Sequence, residues 1–448
     1  MGLNEDMIPP ATVQTAPSPT VPFDKWNGVL TLLAIIAVSV TLNAVILPFT
    51  QVEDSVSRSF GISDIQFSLL IGAFYAVPST IMAVAGGWLA DRFSRRRLML
   101  CAIAAWTAGA VWTALAKNYD QLAIARMAVA AAAGVTFPVA MTWVNDAFPA
   151  KRRAKAVGAL FIVLDIGPGI SSSLGGMAYG ATSSPWFASV PLVGHLAPWR
   201  GALLLLALTN VVSLVWIALL RDVPRAPQEN IQALDSADRD DAPFPMLLVA
   251  ALIVGAALLA LCDSANLSWL PTVLKRQYGF DPEQMGFTFA LITTTAGILG
   301  PLLAGLLDDR VHSRHGIFGS VTTCAIACAI CAPLLSSFAG TSAHVLVGAL
   351  LVSGVFSVMA MTVGYVAIQS LLPSSRRGTG TGVAHAMTNL TTAAAPTLAA
   401  GVSAGLPAGP GALGTGVAIV TVLTFLTAAV VYGGVAWKVC GSRQAIAH

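Results

Sequence analysis

Apolar runs, each about as long as a membrane span, alternate with short polar segments along most of the chain. A transmembrane helix needs about 20 mostly apolar residues. Windows of this kind predict twelve helices, at roughly 27–50, 65–90, 97–116, 121–147, 154–181, 200–220, 246–271, 284–307, 316–337, 342–371, 379–405 and 412–437. The pattern therefore predicts an all-α membrane protein.

The polar segments predict the domain boundaries. The longest insert, residues 221–245, separates six predicted helices from six, and we expect it to be a cytoplasmic linker. It joins an N-terminal six-helix bundle at 26–220 to a C-terminal six-helix bundle at 246–438. Residues 1–25 are rich in proline and lack an apolar core behind a basic region, which predicts a disordered cytoplasmic tail and no signal peptide. Residues 439–448 are predicted to form a second cytoplasmic tail.

The composition agrees with a membrane protein that crosses the bilayer many times. Hydrophobic residues make up 56% of the chain and charged residues 10%, and the mean hydropathy is +0.76. The formal net charge of +3 is too small to indicate nucleic-acid binding, and the basic residues lie in short clusters between apolar runs. The basic residues therefore inform the orientation of the chain.

The distribution of lysine and arginine predicts which side faces the cytoplasm. Of the 24 basic residues, 18 lie in the two tails and the even-numbered loops. The opposite side carries Arg58, Lys117, Arg200, Lys275 and Arg276. By the positive-inside rule, we expect a multi-pass protein of the inner (plasma) membrane with both termini in the cytoplasm.

Two segments of the chain repeat. GWLADR at 87–92 recurs as GLLDDR at 305–310, an offset of 218 residues. The same offset relates the entries to the second and eighth helices, where the matching residues are Gly61, Gln66, Gly279 and Gln284. These matches predict two pseudo-symmetric bundles, with a substrate site near the middle of the membrane at their interface.

The first of these segments resembles a known family signature. GWLADRFSRR, from Gly87 to Arg96, is similar to the G-x-L-x-D-R-x-G-R-R loop of the major facilitator superfamily, with Ser94 in place of a glycine. The resemblance covers about residues 27–438. The segments GISDIQ, DRFSRR and WLP, which ends at Pro271, most resemble spinster-like and anion:cation-symporter-like members.

The resemblance implies a latch between the bundles on the cytoplasmic side. Its residues in this chain are Gly87, Asp91, Arg92, Arg95, Arg96, Asp309 and Arg310. The alternative is a loop that only fixes the topology. A loop that only fixes the topology needs the arginines, but it needs neither the acid Asp91 nor the close helix contact that we expect at Gly87.

Three charged residues are predicted to lie deep in the membrane, where an unpaired charge is costly. Arg126 lies about six residues, or ~9 Å, from the outer end of the fourth helix. The resemblance implies that it faces the central cavity, where its planar guanidinium suits a carboxylate or a phosphate. The alternative is a structural ion pair with an acid of the first or seventh helix.

Asp263 and Asp165 are the candidate proton carriers. Spinster-like members have an acid on the first helix, and this chain has Val45 near that position. The offset of 218 relates Val45 to Asp263, so Asp263 is predicted to carry the proton from the pseudo-symmetric position. Alternatively, Arg126 neutralises Asp263. Asp165 precedes a Gly-Pro-Gly bend, and a hydrogen-bonded role in a bending helix is its alternative.

Further polar and aromatic side chains are candidates for the substrate cavity. They form stripes on otherwise apolar helices, with contacts between helices as the alternative role. The candidates are Asn43, Asn266, Trp269, Tyr365, Gln369, His385 and Asn389. Glu53 and Asp54, near the outer end of the first helix, are expected to be rim charges.

The predicted function is secondary active transport, proton-coupled and by alternating access, of a small amphipathic organic anion across the inner membrane. The alternative is proton-driven export of lipophilic drugs or lysolipid-like amphiphiles. The sequence contains no phosphate-binding lysine motif, nucleophile–base pair or metal-ligand helix, so we expect no enzyme, cofactor or metal. The expected partners are the substrate, protons and membrane lipid, without nucleic acid, and the expected state is a monomer.

Overall fold

The computed structural model describes residues 25–148, 150–220, 246–340, 342–372, 377–409 and 411–446. Within these ranges, the side chains of Asp91, Asp165 and Asp309 and of some neighbouring residues lie outside the description. The predicted linker 221–245 and nearly all of the predicted tail 1–25 also lie outside it. The last helix continues to Ile446, into the segment predicted as a tail.

The described part of the chain folds into α-helices, and two 3₁₀ turns over Pro185–Ser189 and Leu335–Ala339 join some of them. The helices are α1 Lys25–Ile46, α2 Pro48–Gln51, α3 Glu53–Phe60, α4 Asp64–Ile71, α5 Ala73–Arg92, α6 Arg95–Leu115, α7 Tyr119–Ala147, α8 Ala150–Ser183, α9 Pro198–Leu219, α10 Met246–Tyr278, α11 Pro282–His315, α12 Ile317–Leu334, α13 Ala343–Leu371, α14 Arg377–Ala404 and α15 Ala412–Ile446.

Ten spans in the described part are long and apolar enough to cross a membrane. In a helix each backbone N–H and C=O group can bond within the span, which is needed where water is absent. The other two predicted spans, 154–181 and 379–405, fall on α8 and α14, which contain residues outside the description. The membrane class is confirmed, and the count of twelve stays a prediction.

Two of the predicted spans are interrupted near one membrane surface. The first continues beyond α1 as the short helices α2 and α3, and Pro48 starts α2 because proline fits the first turn of a helix. The second is divided at Gly72, whose φ and ψ are −95° and −101°. A Cβ at Gly72 would lie 2.5 Å from the carbonyl oxygen of Ala393, so only glycine allows this close approach of α14.

The sequence repeat corresponds to two equivalent helix starts. Gly61 and Gly279 have φ values of 65° and 70°, a left-handed conformation that favours glycine. The residues two and five positions after each glycine form a capping box, Ser63 with Gln66 in the first bundle and Asp281 with Gln284 in the second. The repeat thus marks a turn and a cap that begin the second helix of each bundle.

We call the side that carries Arg92 and Arg95 the inner side, following the predicted orientation, and the opposite side the outer side. The bundles, α1–α9 and α10–α15, meet along α8 and α11 toward the outer side. There a Cβ at Gly176 would lie 2.3 Å from the carbonyl oxygen of Pro282, and one at Gly286 would lie 2.7 Å from that of Ser172. Small residues thus bring the two backbones together.

Candidate functional site

Arg126 is a buried cation without a protein counter-ion in the described part of the chain. It lies on α7, where Gly134 fits against the Ser79 carbonyl and brings α7 close to α5. The Arg126 side chain is 2% exposed, and its Nε has no hydrogen-bond partner among the described residues. Its guanidinium carbon is 4.3 Å from the centre of the Phe49 ring and 5.8 Å from that of the Tyr75 ring. The predicted alternative, a structural ion pair with an acid of α1 or α10, is not formed by the described residues.

Three aromatic rings form a layer beside Arg126, and one of them, Phe49, contacts its guanidinium. The Phe49 and Phe67 rings stack with centres 5.2 Å apart, and the Phe67 and Trp269 rings are 6.4 Å apart. The indole N–H of Trp269 donates to the Pro396 carbonyl at 3.0 Å, and Trp269 is fully buried. Trp269, a candidate substrate residue, therefore joins the two bundles through its contact with the Phe67 ring.

The N-terminal bundle contains a cavity of about 180 Å³. Its polar lining comes from Ser39, Asn43, Tyr75, Ser79 and Thr136. Asn43 is half-buried and donates to the Ser39 carbonyl at 2.9 Å, which leaves its amide oxygen and its second N–H for a ligand. Tyr75 lines the cavity and also faces Arg126, so one ring separates the cavity from the cation.

A second cavity, of about 200 Å³, lies in the C-terminal bundle and reaches α8 at Pro168. Asp263 and Asn266 line it together with Thr293. The Asp263 carboxylate accepts a hydrogen bond from the Ser357 hydroxyl at 2.9 Å, and the Asn266 Oδ1 has no partner among the described residues. Asp263 makes no ion pair with Arg126 in the described structure, so the predicted alternative of direct neutralisation is not observed. Asp165, the other candidate proton carrier, lies on α8 with its side chain outside the described part.

His385 and Asn389 lie on the face of α14 that meets the N-terminal bundle. Residues four apart share a helix face, and the next two residues of this stripe are Ala393 and Thr397. Ala393 touches Gly72, and the Thr397 hydroxyl is 3.1 Å from that of Ser68. His385 and Asn389 are exposed, which indicates that the bundles separate inward of Ala393.

The remaining two candidates lie on α13. The Tyr365 hydroxyl is 3.4 Å from that of Thr388, so this half-buried ring is bound to α14. Gln369, one turn toward the inner end, is exposed. The structure therefore brings Asn43 to one cavity and Asn266 to the other, and leaves Gln369 at the inner surface.

Three arginines of the predicted inner latch bind within their own bundle. Arg95 pairs with Asp146 of α7 at 2.9 Å, and Arg96 donates to the carbonyl oxygens at the end of α9. The Arg92 guanidinium lies 4.0 Å from the Trp88 ring centre, and Arg310 is exposed. Asp91 and Asp309 lie outside the described side chains, so a latch between bundles stays a prediction.

Among the described residues, none makes the expected close helix contact at Gly87. A Cβ at Gly87 would have no neighbour within 4 Å, and the same holds for its repeat partner Gly305. Gly86 makes the close contact instead, because a Cβ there would lie 2.9 Å from Cα of Val135. The adjacent glycine therefore packs α5 on α7, and Gly87 faces space on the inner side.

Sequence reasoning missed the contact that closes the outer side. Arg276 of α10 binds Glu53 of α3 at 3.0 Å and both carboxylate oxygens of Asp64 at 2.9 Å. Beside it, Lys275 binds Asp54 at 3.0 Å. We call this set, together with Arg58, the outer charge network. It joins the two bundles.

Glu53 is 1% exposed, so the expectation that it is a rim charge was wrong. The available signal was charge complementarity. Lys275 and Arg276 lie on the side where the positive-inside rule predicts few basic residues, and two acids, Glu53 and Asp54, lie near the outer end of the first predicted helix.

Comparisons with known proteins agree with this architecture. The family model described as Major Facilitator Superfamily matches residues 29–396 and 252–437. A probable sulfoacetate transporter of Cupriavidus necator is 26% identical over 278 residues, 58% of this chain. The chain spans only 60% of that relative's own length. The 3-(3-hydroxyphenyl)propionate transporter of Escherichia coli is 28% identical over 327 residues, covering 71% of this chain and 73% of the relative.

A solved structure shares the fold. It is a bacterial homologue of the human lysosomal transporter spinster, in an inward-facing and unoccupied conformation. The two structures align with a TM-score of 0.75 and 19% identity, covering 92% of this chain and 96% of the other. With the membrane spans, the family match and the shared fold, the chain belongs to the major facilitator superfamily, whose members are multi-pass membrane transporters for small molecules and not enzymes.

Proposed function

We propose that this chain transports a small amphipathic organic anion across the inner membrane, coupled to protons and by alternating access. The observation that carries the proposal is Arg126, a buried guanidinium with no ion pair or hydrogen bond among the described residues. An uncompensated charge in such a place costs several kcal/mol. An anionic ligand offsets that cost when it binds.

The surroundings of Arg126 favour an anion with an apolar part. Phe49 and Tyr75 face the guanidinium, and the adjoining cavity has an apolar wall that includes Leu42 and Phe137. Rings stabilise the cation through their π faces but cannot neutralise it. A carboxylate or sulfonate on a compact apolar body would satisfy both the charge and the rings.

The names of the relatives support the same chemical class. Sulfoacetate and 3-(3-hydroxyphenyl)propionate, the compounds named for two of them, are both organic anions. The identity to each relative is below 30%, so the support extends to the class and not to the compound.

Asp263 is the proposed proton carrier. It is half-buried, lines the C-terminal cavity and has the Ser357 hydroxyl as its hydrogen-bond donor. Since no cation of the described chain pairs with it, loading a proton removes a charge without breaking an ion pair. The second polar group of that cavity, Asn266, is proposed to orient the ligand.

The first experiment is ligand-induced thermal stabilisation of the purified protein. The panel contains carboxylates, sulfonates, sugars, lysolipids and cationic drugs, each at about pH 5.5 and 7.5. We expect one anion class to stabilise the parent protein and to lose that effect in Arg126→Ala. Arg200→Ala is the matched control, because Arg200 also lies over aromatic rings, those of Trp199 and Phe60, but donates to the Ala114 carbonyl.

The outcomes separate the proposed function from its alternative. Losing an ion pair to a buried arginine weakens binding by about 2–5 kcal/mol, or about thirtyfold or more. Stabilisation only by lysolipids or cationic drugs would instead support export of amphiphiles. Equal stabilisation of parent and Arg126→Ala by an anion would remove Arg126 from the binding site.

A further inference from the structure

The two carboxylates that bind Arg276 in the outer charge network are not equivalent. Asp64 engages the guanidinium through two N–H···O bonds, each 2.9 Å long, one from each terminal nitrogen. Glu53 receives a single bond of 3.0 Å from Nη2. The paired geometry with Asp64 is the stronger one and neutralises the arginine. Glu53 is therefore the surplus negative charge of the three groups.

The surplus charge is also the most buried group of the three. Glu53 is 1% exposed, whereas the side chains of Asp64 and Arg276 are 29% and 28% exposed. Water can stabilise the charge of Asp64 but scarcely that of Glu53. Of the two carboxylates, Glu53 therefore gains more from neutralisation by a proton.

The hydrogen-bond partners of Glu53 tolerate a proton. The Ser57 hydroxyl lies 2.8 Å from Oε1, and the Thr272 hydroxyl lies 3.1 Å from Oε2. A hydroxyl donates to a carboxylate, but it can rotate and accept from a protonated carboxyl. Neither protonation state leaves the buried oxygens without a partner.

The other charged and titratable groups around Glu53 are already paired. Lys275 of α10 binds Asp54 of α3, which also pairs with Arg58. The Tyr179 hydroxyl of α8 is 2.9 Å from that of Ser55. These contacts leave Arg276 as the cation that touches Glu53. Glu53 lies beyond the span that ends at Gln51, and burial raises its pKa although Arg276 opposes that rise.

We propose that Glu53 is a second proton-binding site of this transporter, occupied when the outer side is closed. Opening the outer side separates α3 and α4 from α10, because Glu53 and Asp64 lie in one bundle and Arg276 lies in the other. Glu53 then meets water, where its ordinary acidity returns. The inference is independent of Arg126 and of the identity of the substrate.

The sign of the pH effect follows from linkage. The conformation in which a group has the higher pKa binds the proton more tightly, so falling pH increases the population of that conformation. For Glu53 this is the conformation with the outer side closed. Acid therefore favours closure, and each unit of pKa difference between the two conformations changes their ratio by up to about tenfold.

Alkylation of a cysteine at the closed contact tests the proposal. Ser68 is fully buried and contacts Thr397 of the other bundle, so Ser68→Cys reacts with a maleimide only when the outer side opens. Lys117→Cys, at an exposed outer position, is the reference. Dividing the rate of Ser68→Cys by that of Lys117→Cys gives a relative rate that is corrected for the effect of pH on thiol reactivity. Labelling of the parent chain, which contains the exposed Cys101, is subtracted. The measurement uses full-length protein in nanodiscs without substrate.

The expected result is a relative rate for Ser68→Cys that rises up to about tenfold from pH 5.5 to 8. When Glu53→Gln is combined with Ser68→Cys, the labelling rate should be low at both pH values, because the amide imitates the protonated acid. Added Glu53→Asp should keep a pH response. Added Asp64→Asn should move the response to lower pH, because Glu53 is then the carboxylate left to Arg276.

Two results would overturn the proposal. One is a folded Ser68→Cys/Glu53→Gln variant whose pH response is as large as that of Ser68→Cys alone, with folding checked by thermal unfolding. The other is a response that Asp64→Asn removes and Glu53→Gln leaves, which would place the proton on Asp64. Because no transport substrate takes part, either result leaves the proposal for Arg126 untouched.

Discussion

At the scale of single residues, the sequence located buried charges but not their partners. Arg126 and Asp263 could be predicted because a charge within an apolar run is costly and rare. Whether they pair with each other depends on the packing of helices that are distant in sequence. The structure places Asp263 at the C-terminal cavity, bound to Ser357, and Arg126 against Tyr75 in the N-terminal bundle. In the proposed function, this separation lets Arg126 bind the anion and Asp263 the proton independently.

Asp263→Asn tests the role of the carboxyl. The amide keeps the shape of the side chain and can still bond to Ser357, but it cannot take up a proton. We expect uptake driven by a pH gradient to fall about tenfold or more, while exchange of substrate across the membrane continues. Both rates are measured in proteoliposomes, and Ser357→Ala, which keeps the carboxyl, is the control. Full gradient-driven uptake by Asp263→Asn would exclude Asp263 as the proton carrier.

At the scale of helices, local signals predicted the starts of helices better than their interruptions. The repeated Gly61 and Gly279 are followed by capping boxes, a pattern of near neighbours that a sequence shows directly. The division at Gly72 was not predicted, because the carbonyl of Ala393, more than 300 residues away, requires the glycine there. The close contact was likewise assigned to Gly87 and belongs to Gly86.

Gly176→Ala tests the packing of α8 on α11. The added methyl would lie 2.3 Å from the Pro282 carbonyl, so the outer ends of the two helices must separate. Overpacking of this kind costs about 1–3 kcal/mol, which predicts about fivefold or more faster alkylation of Ser68→Cys. Gly180→Ala, one turn away on α8, is a matched control because its Cβ meets nothing within 4 Å. Equal rates in the two variants would show that this contact does not limit opening.

At the scale of the whole molecule, the outer side is closed by three layers of contact between the bundles. The outer charge network lies above the aromatic layer of Phe49, Phe67 and Trp269, and α8 packs on α11 beside them. The two-bundle architecture could be predicted from the repeat. The closure could not, because Glu53 and Arg276 lie 223 residues apart and only the docked bundles bring them together.

Transport by alternating access requires these outer contacts to separate. The Ser68 and Thr397 hydroxyl oxygens are 3.1 Å apart across the bundle interface, so cysteines at both positions are placed to cross-link. The decisive measurement is uptake, in proteoliposomes, of the anion that most stabilises the protein, by Ser68→Cys/Thr397→Cys before and after oxidation, with each single variant as control. We expect oxidation to abolish uptake in the double variant alone and a reductant to restore it. Undiminished uptake by the fully cross-linked protein would contradict alternating access through the outer side.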